Sequence, residues 1–281
     1  PLYSSAASDV YKRQFLNLPG GNKPMAHRLL DAAATGQARR RQALKMLTLL
    51  CGVGLGSWGA SQAVPWRRWT ATHHTALAER REVRLADGGR VWLNTDSAID
   101  VDYGPGLRRI RLVAGEILVT TAPDTQTPAR PFVVDTAQAR LRALGTRYSV
   151  YQEDDASVVA VFDGAVQVEP VTPGAAGGIL HAGQQARITR AGHVAAEPAA
   201  LARRSWADGL IVAENMRLGD FAAELSRYRR GHLGCDPAIA DLRIVGTYAT
   251  ADTDQVLATL ENTLPVRVRR TLPWWVVLEG R

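Results

Sequence analysis

The chain of 281 residues carries 34 Lys and Arg against 27 Asp and Glu, a net charge of +7, and 46% of it is hydrophobic. Residues 1–45 hold eight basic residues against Asp9 and Asp31, a net of +6, so the other 236 residues carry only +1; this distribution excludes a nucleic-acid partner. Cys51 and Cys235 are too few for a disulfide framework, and the length allows one to three domains.

Residues 1–14 show no periodicity and no initiating Met, and are read as a sequence artefact outside the fold. Pro19-Gly20-Gly21-Asn22 is a loop, and a helix is expected from about Met25 to the arginines, so residues 15–45 read as a cytoplasmic remnant. From Met46 to Val64 nothing is charged. Nineteen residues make a helix of about 28 Å, close to the roughly 30 Å hydrocarbon core of a bilayer. Arg39, Arg40, Arg41 and Lys45 precede it and keep the N-terminal side in the cytoplasm, where anionic lipid favours them. Residues 46–64 therefore read as one transmembrane helix with membrane lipid as its partner, and Gly52-x-x-x-Gly56 permits close helix packing there. Arg40-Arg41-Gln42-Ala43-Leu44-Lys45 also fits the twin-arginine export pattern, and Ser61-Gln62-Ala63 a small-x-small cleavage site. An exported β-rich binding module with its twin-arginine leader removed thus stays open beside the retained helix.

From residue 80 to about 195 the texture is short alternating or β-branched runs: 82–85, 90–93, 99–103, 109–113, 116–119, 131–134, 140–144, 148–151, 158–162, 166–168 and 186–189. Asp87-Gly88-Gly89, Gly104-Pro105-Gly106, Ala114-Gly115, Asp163-Gly164 and Ala182-Gly183 punctuate them as turns. Period-two patterning at this spacing predicts a mainly β domain, either a sandwich or a solenoid-like stacked sheet. Arg109 and Arg111 alternate with Ile110 and Leu112, which puts one face in water and the other in the core.

After Pro198 the pattern changes. A strand is expected at 210–213. Leu218, Phe221, Ala222, Leu225 and Tyr228 follow at helical spacing, then comes a strand at 242–248. A second helix opens at Asp252, with Gln255 three residues on, and buries Val256, Leu257, Leu260 and Leu264. Strands at 266–268 and 274–278, separated by Thr271-Leu272-Pro273, complete a small α+β domain over residues 205–281.

Five blocks then occur in order: Asp87-Gly88-Gly89-Arg90-Val91-Trp92-Leu93-Asn94, Leu112-Val113-Ala114-Gly115-Glu116, Arg130-Pro131-Phe132-Val133-Val134, Leu144-Gly145-Thr146-Arg147-Tyr148-Ser149-Val150 and Asp163-Gly164-Ala165-Val166. Together they resemble the FecR family of transmembrane sigma-factor regulators. Trp206-Ala207-Asp208-Gly209, Met216-Arg217-Leu218, Leu225-Ser226-Arg227-Tyr228 and Val245-Gly246-Thr247-Tyr248 are similar to that family's C-terminal domain. That domain resembles the short N-terminal signalling domains (STN) of secretins and TonB-dependent receptors. The resemblance covers roughly residues 39–278. It implies an inner-membrane, single-pass protein with most of its chain in the periplasm. Its partners would be the signalling domain of a TonB-dependent outer-membrane receptor, of the iron–siderophore uptake kind, and an extracytoplasmic-function sigma factor. The family's cytoplasmic sigma-binding domain has no full counterpart in residues 15–45.

Candidate chemistry is sparse. No phosphate loop, dinucleotide fingerprint or nucleophile elbow appears, so neither enzymatic turnover nor a cofactor is expected. His73-His74 lacks further ligands at metal-binding spacing, and no metal is expected either. Glu153-Asp154-Asp155 reads as a solvated turn. Gly145-Thr146 has two readings: a glycine allowing close approach beside a good strand residue, or a self-cleaving bond attacked by the Thr146 hydroxyl, as the resemblance implies. For partner binding the candidates are the helical stripe Leu218, Phe221, Leu225 and Tyr228 together with Trp274 and Trp275. Exposed edge strands of the α+β unit offer β-augmentation as the docking mode.

Overall fold

Residues 70–281, apart from Val194 and Leu201, are described by a computed structural model. The artefact, cytoplasmic-remnant, twin-arginine and transmembrane readings at residues 1–64 lie outside the described residues. Among those described, no helix is long and apolar enough to cross a membrane.

The strands run in chain order as β1 (His73–His74), β2 (Arg81–Arg84), β3 (Arg90–Leu93), β4 (Ala98–Tyr103), β5 (Arg108–Thr120), β6 (Phe132–Asp135) and β7 (Ala139–Ala143). They continue as β8 (Arg147–Gln152), β9 (Ala156–Asp163), β10 (Ala165–Pro170), β11 (Gly178–His181), β12 (Gln184–Thr189), β13 (Gly192–His193) and β14 (Glu197–Pro198). All fourteen belong to one hydrogen-bonded sheet that curls into two layers. β1, β4, β6, β7, β10 and β11 form the first layer with the start of β5; β2, β3, β8, β9 and β12 to β14 form the second with its end. Ile99, Ile110, Leu112 and Leu141 from the first layer pack on Val91, Leu93, Ile117, Val150 and Val159 from the second, giving one shared core.

β5 makes this possible, and it differs from expectation. The Ala114-Gly115 turn between two short strands is absent: one 13-residue strand runs through it. Gly115 has φ +80, and a Cβ there would lie 2.2 Å from Ser97 Oγ. The glycine bends the strand from one layer into the other instead of reversing it, which is the work of a bulge rather than a turn.

The outer faces of the layers differ in character. On the first, Asp100, Arg111, Asp135, Arg140 and Glu169 stand in register across five neighbouring strands, charges alternating in sign. That face is wet. On the second, β9 is buried without a break from Ala156 to Val161, the mark of a strand covered on both sides. Its cover is the C-terminal domain, whose core includes Leu118 and packs against Trp92 and Phe162.

That domain comprises α1 (Ala202–Ser205), a 3-10 turn (Trp206–Asp208), β15 (Leu210–Arg217), α2 (Leu218–Ser226), β16 (His232–Cys235), β17 (Arg243–Ala249), α3 (Thr253–Thr263), β18 (Val266–Leu272) and β19 (Trp275–Gly280). β15 pairs with β17, and a three-stranded sheet is ordered β16-β19-β18. Asp252 caps α3, its Oδ1 accepting from the Gln255 N–H at 2.9 Å. β16 was not expected: four residues with one buried apolar side chain carry no periodic signal, and its parallel partner β19 lies some forty residues on. The expected break at Thr271-Leu272-Pro273 moves to Pro273-Trp274, because Leu272 still pairs with Trp275.

Gly115→Ala is expected to lower stability by about 2–4 kcal/mol, from a strained φ and a clash with Ser97. An unchanged thermal midpoint would contradict the close approach.

Candidate functional site

The inter-domain junction concentrates the buried charge. Glu116 follows the Gly115 bend and is 1% exposed. Its Oε2 accepts from Arg227 Nη2 at 2.7 Å and from Asn94 Nδ2 at 2.9 Å, while Arg203 Nη1 lies 3.9 Å from Oε1. Both arginines belong to the C-terminal domain, Arg203 in α1 and Arg227 just after α2. The Arg227 guanidinium also bonds Glu224 and lies over the Tyr151 ring, 4.3 Å from its centroid. Burial opposes its charge, yet Glu116 and Glu224 outweigh that and raise its pKa above the ordinary arginine value.

Further bonds cross the same seam. Asn94 Nδ2 donates to the Tyr228 hydroxyl at 2.9 Å, and Thr95 Oγ1 donates to the Arg227 carbonyl at 3.0 Å. Burial pushes the Tyr228 hydroxyl pKa up. Arg80, just before β2, donates from Nη1 to the Trp206 and Ala207 carbonyls at 3.1 and 2.9 Å. The 3-10 turn's C-terminal carbonyls are thus satisfied by a residue near the start of the β domain.

The stripe of α2 is corrected as a partner surface. Leu218, Phe221 and Leu225 are fully buried and Tyr228 nearly so. The helix packs on β16 and β15, and Tyr228 reaches across to Asn94. An amphipathic helix's apolar face goes first to its own core. Trp274 and Trp275 are exposed at the β18–β19 turn, the two indoles edge to face at 6.1 Å.

Gly145 (φ +77) and Thr146 connect β7 to β8. The Thr146 N–H donates to Thr121 Oγ1 at 2.8 Å, and its carbonyl accepts from the Thr121 N–H at 3.0 Å. Its own Oγ1 is buried with no hydrogen-bond partner among the described residues, so none of their bases touches it. Glu153 and Asp155 clamp Arg187 at 2.9 and 2.6 Å, while Asp154 is exposed. His73 and His74 lie in β1, and among the described residues no group of three His, Cys, Asp or Glu is arranged to hold a metal.

Sequence reasoning did not find Arg80, Arg203 or the Glu116–Arg227 pair, whose members lie 111 residues apart. The one available signal was the unbroken apolar run of β9, which announces a second covered face.

A curled, two-layer β domain and a small α+β domain thus meet at a buried, charged junction. Residues 71–167 match the family model described as FecR protein. That match lies within the β domain and spans about a third of the chain. Two crystal structures of a Parabacteroides distasonis protein described as a candidate anti-sigma factor share the fold, each at 23% identity and each covering 74% of this chain and 98% of that one, with TM-scores of 0.61 and 0.59. No curated protein matches the sequence.

Glu116→Gln removes the buried carboxylate that faces Arg227 and Arg203, leaving Arg227 with Glu224 alone, and is expected to cost about 3 kcal/mol, or roughly 6–12 °C in thermal midpoint. Calorimetry on the variant should show one transition at lower temperature. A melt identical to wild type would mean the junction is not held by this pair.

Proposed function

We propose that this protein regulates an extracytoplasmic-function sigma factor in response to the state of a TonB-dependent outer-membrane receptor, of the iron–siderophore uptake kind. The observation that carries the reading is the FecR match over residues 71–167, on a domain joined by buried charge to an α+β unit. The described function of the P. distasonis fold relative agrees with it. In this reading the chain is a single-pass inner-membrane protein anchored by residues 46–64, with the described body in the periplasm.

The C-terminal domain is the receptor-facing, STN-like part. Its outer strand edges suit β-augmentation at β17, which pairs only with β15 among the described strands, and at β16, which flanks its sheet; on β18 the Val268 N–H already donates to Glu261 and the Val266 carbonyl accepts from Arg281. The work is recognition without turnover, and Gly145-Thr146 is structural. The unpartnered Thr146 hydroxyl supports this, since an unactivated hydroxyl is a poor nucleophile.

Deleting the gene and sequencing RNA tests the relay. Changes should concentrate in transcripts that share one promoter sequence and include a TonB-dependent receptor gene. A deletion strain with no such group sinks the proposal.

Thr146→Val removes a buried, unpaired hydroxyl while keeping the side chain's shape. It is expected to raise stability by about 1 kcal/mol and leave the chain's fragment pattern on a blot unchanged. Loss of a fragment beginning at residue 146 in the variant would instead show self-cleavage.

A further inference from the structure

The β18–β19 hairpin closes in a two-residue turn, Pro273-Trp274, with Leu272 opposite Trp275. Residues 271–275 are all exposed, and four of the five are apolar; Trp274 is 53% exposed and Leu272 45%. This tip is firmly held. The His232 N–H donates to the Trp274 carbonyl at 2.7 Å, and the His232 ring stacks on Trp275 at 4.2 Å. A Cβ at Gly231 would lie 2.1 Å from the Trp274 carbonyl oxygen, so the turn rests directly on the chain entering β16.

The surroundings are basic. Residues 229–235 and 266–280 contain Arg229, Arg230, Arg267, Arg269 and Arg270 against Glu279 alone, a net of +4. Glu279 is taken by Arg269 at 2.8 Å, and Asp254 of α3 lies 3.4 Å from Arg270 and 3.8 Å from Arg229. The backbone of the tip offers little to a partner that reads hydrogen bonds: Pro273 has no N–H, and the Trp274 carbonyl is already used by His232. A second copy of the chain fits poorly as well, since pairing two β18 edges would set arginines against arginines.

We propose that the Leu272–Trp275 tip seats in the headgroup region of an anionic bilayer. Leu272 and Trp274 enter the apolar boundary, and Arg230 and Arg270 meet lipid phosphates. Tryptophan suits that depth because its ring is apolar and its N–H is polar, and arginines beside it are drawn to anionic headgroups. The C-terminal domain thereby rests on a membrane surface through a contact separate from the strand edges assigned to the receptor. The inference stands independently of the transmembrane reading of residues 46–64.

The test uses residues 70–281, a body whose counterpart stands alone in the P. distasonis crystals, where the match covers 98% of the chain. Vesicles containing phosphatidylglycerol are compared with vesicles of phosphatidylcholine alone, by co-sedimentation and tryptophan emission. The body should sediment with the anionic vesicles, its emission should shift to the blue, and high salt should release it. Leu272→Ser/Trp274→Ser should weaken binding about tenfold or more at an unchanged melting temperature, and Arg230→Glu/Arg270→Glu should do the same. Absence of binding to the anionic vesicles, or equal binding by the tip variant, overturns the proposal. So does a wild-type body that ignores vesicles while its tip variant loses a receptor's signalling domain, for the tip is then a protein interface.

Discussion

Glu116 is a carboxylate buried where neither domain alone would tolerate it. It sits on the strand that both β layers share, directly after the glycine that bends that strand, and its charge is answered by arginines from the other domain. A buried carboxylate without a counter-ion costs several kcal/mol, so the β domain carries a charge that only the C-terminal domain can satisfy. The apolar contacts agree. Leu118 lies two residues along the same strand and so points to the same side as Glu116, and it is part of the C-terminal core. Ile117 and Val119 between and beside them point the opposite way, into the β core. One segment of β5 therefore anchors both cores and the charge between them.

This constraint orders the surfaces. The first layer turns its alternating charge row outward and needs no cover, whereas the second turns Trp92, Leu118 and Phe162 outward and receives the C-terminal domain there. α2 is used up in that packing, which is why its stripe is unavailable to a partner. The surface that the C-terminal domain leaves exposed includes strand edge and the hairpin tip. Arg80 then ties the beginning of the β domain to the carbonyls of the 3-10 turn, so the chain near the start of the described body and the C-terminal domain are held by the same seam.

Much of this fold was legible in the sequence, because period-two alternation and Gly-containing turns report local physics that tertiary structure rarely overrides. Asp87-Gly88-Gly89 and Gly104-Pro105-Gly106 are turns as read, each joining an antiparallel pair, whereas Gly164 carries the chain from the second layer to the first; Leu257 and Leu260 face the core as their spacing requires. The misreadings have a common cause. Gly115 looks the same in sequence whether it reverses a strand or bends it; only the closeness of Ser97 decides. The stripe of α2 correctly announced an apolar face, but periodicity cannot say whether the core or a partner covers it. β16 depends on a parallel neighbour distant in sequence, and Glu116 on an arginine 111 residues away, so neither has a local signature.

A relay through such a body works under an energetic restriction. A partner shifts an equilibrium only by the difference between its affinities for the two states. Swinging the domains apart would leave Glu116 without either arginine and expose the packing around Leu118, Trp92 and Phe162. With one buried pair alone worth about 3–5 kcal/mol when broken, a docking partner would need more than a hundredfold preference for the open form before counting the apolar area. A signal that leaves the junction closed avoids that cost. In the proposed relay, contact at the strand edges of the C-terminal domain acts on the two-domain body as one piece, which Arg80 ties to the segment between β1 and β2.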